Sequence, residues 1–255
     1  MVIGAVAAGI GLPFAALLGG IGFFGGTTFF DLPARAPARP GEEQVVVAVF
    51  SGDMGFHIGQ AYEVSKVLAA RGLPVLGVNS LIPFRKARSP AEATAFVVAA
   101  IDRAQGFSHR AQVTLVGISF GADVLHVGLA GLPPAYRAKV RNVVLVVPGA
   151  TVQLQASPLA IFPIQAPDRD GRITGRQLDW VPATCIRGAK EKDSLCPLLT
   201  QPNMARIALP GGHKLNGDIA GVANRIVHAI DDAGAASEAA TPEGSAPSPS
   251  PPPAG

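Results

Sequence analysis

Between residues 44 and 232, short runs of apolar and often β-branched residues alternate with stretches whose apolar positions return every three or four residues. The run 45–50 is unbroken, as a strand covered on both faces requires. Runs at 74–78, 113–117, 143–147, 184–187 and 205–209 predict further strands. Among the intervening stretches, 58–70 carries Val64, Val67 and Leu68 at helical spacing and is ended by Gly72. Ser89 and Pro90 start a helix through Phe96, Val97 and Ile101, because serine suits the N-cap and proline the first turn. Helices are also expected from about 122 to 129 and from 219 to 230. Strands and helices in alternation build a mostly parallel sheet with helices on both faces, an α/β fold. Ligands of such folds gather at the carboxyl ends of the strands.

Both ends of the chain break this pattern. The first charged side chain is Asp31, and the residues before it are apolar, small or hydroxyl-bearing, with Val2, Ile3, Val6, Ile10, Leu12, Phe14, Leu17, Leu18, Ile21, Phe23 and Phe24 among them. About 20 such residues suffice to span a bilayer, so residues 1–30 read as a signal anchor or signal peptide. Pro33, Pro37 and Pro40 make 31–43 read as a stiff Pro-rich spacer that lifts the domain off a membrane. Residues 233–255, mostly Ala, Ser and Pro, have almost nothing to bury and read as a disordered tail. One domain, 44–232, is left between them.

Hydrophobic residues are 48% of the chain and charged ones 15%, which excludes a soluble disordered protein. The net charge of +3 comes from scattered Lys and Arg, not from a stripe, so a nucleic-acid partner is not expected. Arg35 and Arg39 follow the apolar segment and none precedes it, which by the positive-inside rule places the domain in the cytoplasm. The cysteines point the other way. Cys185 and Cys196 are the only two, they bracket a short polar loop, and their closure as a disulfide suits a compartment outside the reducing cytosol. Two thiols with no nearby histidine supply too few ligands for a metal, and no cofactor is expected. A periplasmic location, tethered to or exported across the inner membrane, follows from the cysteine reading.

Candidate chemistry falls at the ends of the predicted strands. Gly117-Ile118-Ser119-Phe120-Gly121 has the G-x-S-x-G pattern between a strand and a helix, where a strained turn presents a serine nucleophile. An ordinary tight turn fits the pentapeptide too; its partners downstream decide. The loop after 184–187 holds Glu191 and Asp193, and an acid in that place orients a histidine. Asp193 is the expected acid and Glu191 the reserve. His213 follows the last strand behind Pro210-Gly211-Gly212 and comes last in the order Ser, acid, His, so it is the expected base. His57, His109, His126 and His228 suit that role less well. A developing oxyanion needs donors, and the backbone N–H groups of Phe120 and of Met54, in the loop after the first strand, are the candidates. Asp53 either caps the helix that follows or binds a cationic group of a substrate. Asp123, four residues beyond Ser119, either recognises such a group or partners a neighbouring polar group.

Ser51-Gly52-Asp53, Asn79-Ser80-Leu81, the stretch from Gly117 to Leu125, Leu132-Pro133-Pro134, Asp193-Ser194-Leu195-Cys196-Pro197 and Pro210-Gly211-Gly212-His213 together resemble the bacterial virulence protein family AcvB/VirJ. The resemblance covers most of residues 45–227. It implies an α/β-hydrolase domain with a minimal lid on the periplasmic side, and a Ser119, Asp193, His213 triad. It also implies hydrolysis of aminoacylated phosphatidylglycerol, a membrane phospholipid, at the ester that joins an amino acid such as lysine to the head group. Met54 and Phe56 stand where the family usually has glycine and tryptophan, and Ile118 where it usually has tyrosine. The alternatives are a carboxylesterase for small esters and a non-catalytic adaptor that binds an envelope secretion component.

Overall fold

The computed structural model describes residues 25–156 and 169–240. Its sheet has the order β1-β3-β2-β4-β5-β8-β9. The strands are β1 (Phe29–Leu32), β2 (Val45–Phe50), β3 (Val75–Val78), β4 (Gln112–Ile118), β5 (Val140–Val146), β8 (Ala183–Gly188) and β9 (Met204–Leu209). A two-stranded ribbon, β6 (Thr151–Val152) with β7 (Arg169–Asp170), stands apart. Every pairing in the main sheet is parallel except β1 with β3. The helices are α1 (Gln60–Ala70), α2 (Pro90–Ser108), α3 (Phe120–Ala130), α4 (Gly171–Gly175) and α5 (Ile219–Ala240), with single helical turns at Leu81–Phe84 and Pro134–Arg137.

Alternation within the unbroken apolar strands settles which residues face which helices. Val45, Val47 and Val49 of β2 join Val64 and Leu68 of α1 and Val222, Ile226 and Ile230 of α5 on one face. Val46, Ala48 and Phe50 join Val97 and Ile101 of α2 and Leu125 and Leu129 of α3 on the other. Ser89 caps α2 with Pro90 in its first turn, as expected, and Glu92 completes a capping box.

Two expectations about the ends are corrected. Residues 31–43 are not a free spacer. Asp31 and Leu32 belong to β1, Arg35 N–H donates to the Ala69 carbonyl, and a Cβ on Gly72 would lie 2.3 Å from the Pro37 carbonyl oxygen. The segment therefore ends an edge strand and returns along the domain, and the lack of a side chain at Gly72 lets the backbone of Ala36 and Pro37 pack there. The closing helix also runs past residue 232, to Ala240. Among the described residues no helix is long and apolar enough to cross a membrane. Residues 1–24 of the expected membrane segment and residues 241–255 of the expected tail lie outside the described residues.

Candidate active site

Ser119 occupies the turn between β4 and α3 with φ 56° and ψ −125°, a conformation few non-glycine residues adopt. Its neighbours make that turn sterically possible. A Cβ on Gly117 would come within 2.5 Å of the Ala122 Cα, and one on Gly121 within 2.3 Å of the Phe50 carbonyl oxygen. Real Cβ contacts are not that short, so both glycines of the pentapeptide are required by packing against the turn and against β2. Ser119 thereby projects above the carboxyl ends of the strands.

His213 reaches it from the loop after β9. The His213 Nε2 lies 2.7 Å from the Ser119 Oγ, and the His213 Nδ1 lies 2.6 Å from the Glu191 Oε1. A carboxylate only accepts, so Nδ1 carries the proton and Nε2 turns its lone pair to the hydroxyl. The two loops are fastened side by side. Ala189 N–H donates to the Leu209 carbonyl and Lys190 N–H to the Gly211 carbonyl, at 2.7 and 2.9 Å. Gly188 allows this approach, since a Cβ there would lie 2.3 Å from the Gly212 carbonyl oxygen. The Glu191 side chain is nearly buried, at 9% exposure, and its Oε2 accepts from Gly188 N–H.

Asp193 is the acid expected from the sequence, and the geometry corrects this. Asp193 is exposed, and its backbone carbonyl accepts from Ala150 N–H, while the histidine is taken by Glu191. The turn closed by Glu191 N–H on the Gly188 carbonyl carries residue 191 toward His213, and two residues later the chain has moved on to pair with 148–150. Cys185 and Cys196 form a disulfide, so the loop that bears Glu191 is covalently closed behind it.

The family model for bacterial virulence protein (VirJ) matches residues 44–234. The chain belongs to the VirJ family. No curated protein matches it. Among solved structures, it is similar to Est1E from Butyrivibrio proteoclasticus with ferulic acid bound, at TM-score 0.56 and 13% identity over 81% of this chain and 95% of that one. It is similar to dienelactone hydrolase from Anabaena variabilis, at TM-score 0.55 and 15% identity over 82% and 93%. It is also similar to XC6422 from Xanthomonas campestris, a serine hydrolase without a lid, at TM-score 0.51 and 14% identity over 80% and 88%. The VirJ domain thus has the α/β-hydrolase fold.

In this VirJ chain the loop after β2 closes the other side of the site. A Cβ on Gly52 would lie 3.7 Å from the Ser119 Cβ, so Gly52 gives the loop its close approach to Ser119. Sequence reading singled out Met54 and Asp53 there. Asp53 and Met54 are the central residues of a turn in which Gly55 N–H donates to the Gly52 carbonyl. Phe120 is the first residue of α3, and the N–H at that position has no acceptor within its own helix. Asp53 does not cap α1, whose N-cap is Gly59 without a side-chain cap. Burial raises the Asp53 pKa, against the pull of its own N–H, of His213 and of the Met54 N–H. Phe56, in the family's tryptophan position, is buried over Gly77 and stacked on Phe30.

Asp123 accepts a hydrogen bond of 2.9 Å from Gly149 N–H, which ties α3 to the loop after β5. That loop in turn holds residues 193–195 through Ala150 N–H to the Asp193 carbonyl and Leu195 N–H to the Pro148 carbonyl. The Asp123 pKa is raised well above the usual carboxylate value by burial, opposed by the Gly149 N–H and reinforced by Asp53 and Glu191. Of the two roles expected for Asp123, this contact is the partner for a polar group; which group it meets depends on a contact between distant loops.

His126, one turn further along α3, is fully buried, with Nδ1 2.8 Å from the Thr174 Oγ1 and Nε2 4.0 Å from the Asp123 Oδ1 but without a hydrogen-bond partner. Burial pushes its pKa down to about 3 from 6.5. The unfolded chain therefore binds the extra proton between these values, and the stability that neutral His126 contributes is whole above pH 6.5 and lost as pH falls toward 3. Asp123 acts in the opposite sense, because its raised pKa makes the folded chain the proton binder above pH 3.8 and stability falls as pH rises. Unfolding free energies from urea titrations between neutral pH and about 4 are expected to fall with a slope of up to about 1.4 kcal/mol per pH unit from the histidine. His126→Asn should flatten that limb. An unchanged slope would show that another group sets it.

Proposed function

We propose that this chain is an exported serine esterase of the bacterial envelope that cleaves the aminoacyl ester of aminoacylated phosphatidylglycerol. The observation that carries the hydrolase reading is the unbroken line of hydrogen bonds from Ser119 through His213 to Glu191. His213 Nε2 takes the hydroxyl proton as Ser119 Oγ attacks the ester carbonyl carbon. The oxyanion is held by the N–H of Phe120 and by an N–H of the loop at Gly52 to Met54. His213 returns the proton to the leaving alcohol, the lipid head group. Water then attacks the acyl-enzyme by the same route, releasing the amino acid and restoring the serine.

Asp53 and Asp123 place carboxyl groups near the triad, which can accept hydrogen bonds from the amine of an aminoacyl group such as lysyl. Ester substrates also agree with the similar structures, one of which holds ferulic acid and another of which is a dienelactone hydrolase. The disulfide supports export, since such bonds persist outside the reducing cytosol.

The test uses the purified chain and Ser119→Ala with lysyl-phosphatidylglycerol, a chromogenic short-chain ester and a fluorophosphonate probe. The probe is expected to label Ser119, and both esters to be cleaved, with turnover by Ser119→Ala lower by about four orders of magnitude or more. Cleavage of the short ester alone would favour a carboxylesterase for small substrates. No label at Ser119 would overturn the hydrolase reading in favour of an adaptor.

A further inference from the structure

We infer that the rim of the sheet carrying Ser119 is the face by which the domain lies against an anionic lipid bilayer. The argument starts from the direction of β1. It runs antiparallel to β3, with Phe29 opposite Val78 and Leu32 opposite Val75, so the chain enters the sheet at the carboxyl ends of the parallel strands. The residues just before it are fixed there. Asn79 N–H donates to the Thr28 carbonyl at 2.8 Å, the Asn79 Nδ2 reaches the Thr27 carbonyl, and a Cβ on Gly26 would touch the Ile82 side chain. From Asn79 the path to the nucleophile is short. Ser80 N–H donates to the Ser51 Oγ, and the residue after Ser51, Gly52, lies against Ser119.

Residues 1–24 contain no charged side chain and are long enough to cross the hydrocarbon core of a bilayer. Only Gly25 to Thr28 separate that run from β1, and four extended residues reach at most about 14 Å. A bilayer holding the run therefore lies within that distance of the chain's entry at the catalytic rim. With residues 31–43 packed along the domain, no longer spacer intervenes.

The side chains on the same rim fit an anionic surface. Arg85 and Lys86 follow the helical turn after β3, Lys190 and Lys192 lie in the loop after β8, and Lys214 follows His213; all are exposed. Ile58, in the loop after β2, is a large apolar side chain at 42% exposure. Exposed acids there include Asp193 and Asp218, and Glu63 and Glu92 in the first turns of α1 and α2, which are paired with Lys66 and Arg88. Basic side chains around an apolar residue are what a surface of anionic head groups attracts. In this orientation a lipid ester meets Ser119 at the level of the head groups, a consequence that rests on the substrate proposed above; the orientation itself does not.

The experiment places p-benzoylphenylalanine at Ile58 or Lys192 on the rim, or at Ala111 or Ala138 just before β4 and β5 on the opposite end, in the full chain reconstituted into phosphatidylcholine vesicles containing phosphatidylglycerol. On irradiation the rim positions are expected to yield several times as much lipid adduct as the opposite ones. Equal or reversed yields, or a chain that does not float with the vesicles, would overturn the inference. Turnover of the short-chain ester by the same preparations reports the Ser119 chemistry separately. Its loss with rim adducts intact would count against the esterase and leave the orientation standing.

Discussion

Glu191→Gln is expected to lower kcat by about three to four orders of magnitude, whereas Asp193→Asn should leave it within roughly twofold. The amide introduced at position 191 keeps the shape of the side chain but can turn a donor toward His213 Nδ1, which inverts the tautomer and leaves Nε2 protonated against Ser119. Asp193 has no such consequence, because its side chain is exposed and the bond that holds it in the loop is made by its backbone. Steady-state kinetics on the short-chain ester, with both variants shown to be folded, measures the difference. Equal losses at the two positions, or a loss confined to Asp193→Asn, would return the orienting role to the aspartate and require the loop to rearrange before catalysis.

The second large effect concerns the disulfide. Cys185 lies in β8 and Cys196 eleven residues on, both buried, and Glu191 sits between them. The bridge limits the unfolded chain as well as the folded loop. Replacing both cysteines by alanine is expected to cost about 2–4 kcal/mol of stability in a urea titration. Activity should fall less, because the acid loop is also held by Ala189 and Lys190 on the β9 side and by Ala150 and Leu195 on the β5 side. A tenfold or smaller drop in kcat, roughly, is the expected result at a temperature where the variant remains folded. Coincident urea midpoints for the parent and the double variant would show that the bridge adds nothing measurable to stability.

Much of the fold can be read directly from the chain, for a physical reason. A parallel strand buried on both faces has to be an apolar run, and Val45–Phe50 coincides with β2 to the residue. The capping box at Ser89 announces α2 because it satisfies backbone donors with residues three apart, a purely local requirement. The elbow is legible on the same principle. Its turn has no room for a Cβ at Gly117 or Gly121, and that constraint is written into the pentapeptide.

Where contacts are not local, the letters carry no direction. Phe29 and Phe30 continue an apolar stretch in sequence, and only pairing with β3 shows them to be an edge strand that enters the sheet at the rim carrying Ser119. Glu191 and Asp193 are two residues apart in an irregular loop, where no periodicity tells which side chain points inward. The sequence alone determined a serine elbow, a histidine after the last strand and an acidic loop between them. Tertiary structure decided which acid meets the histidine, because the crossing of the β8 and β9 loops, made possible by Gly188 against Gly212, is what brings one of the two carboxylates into reach.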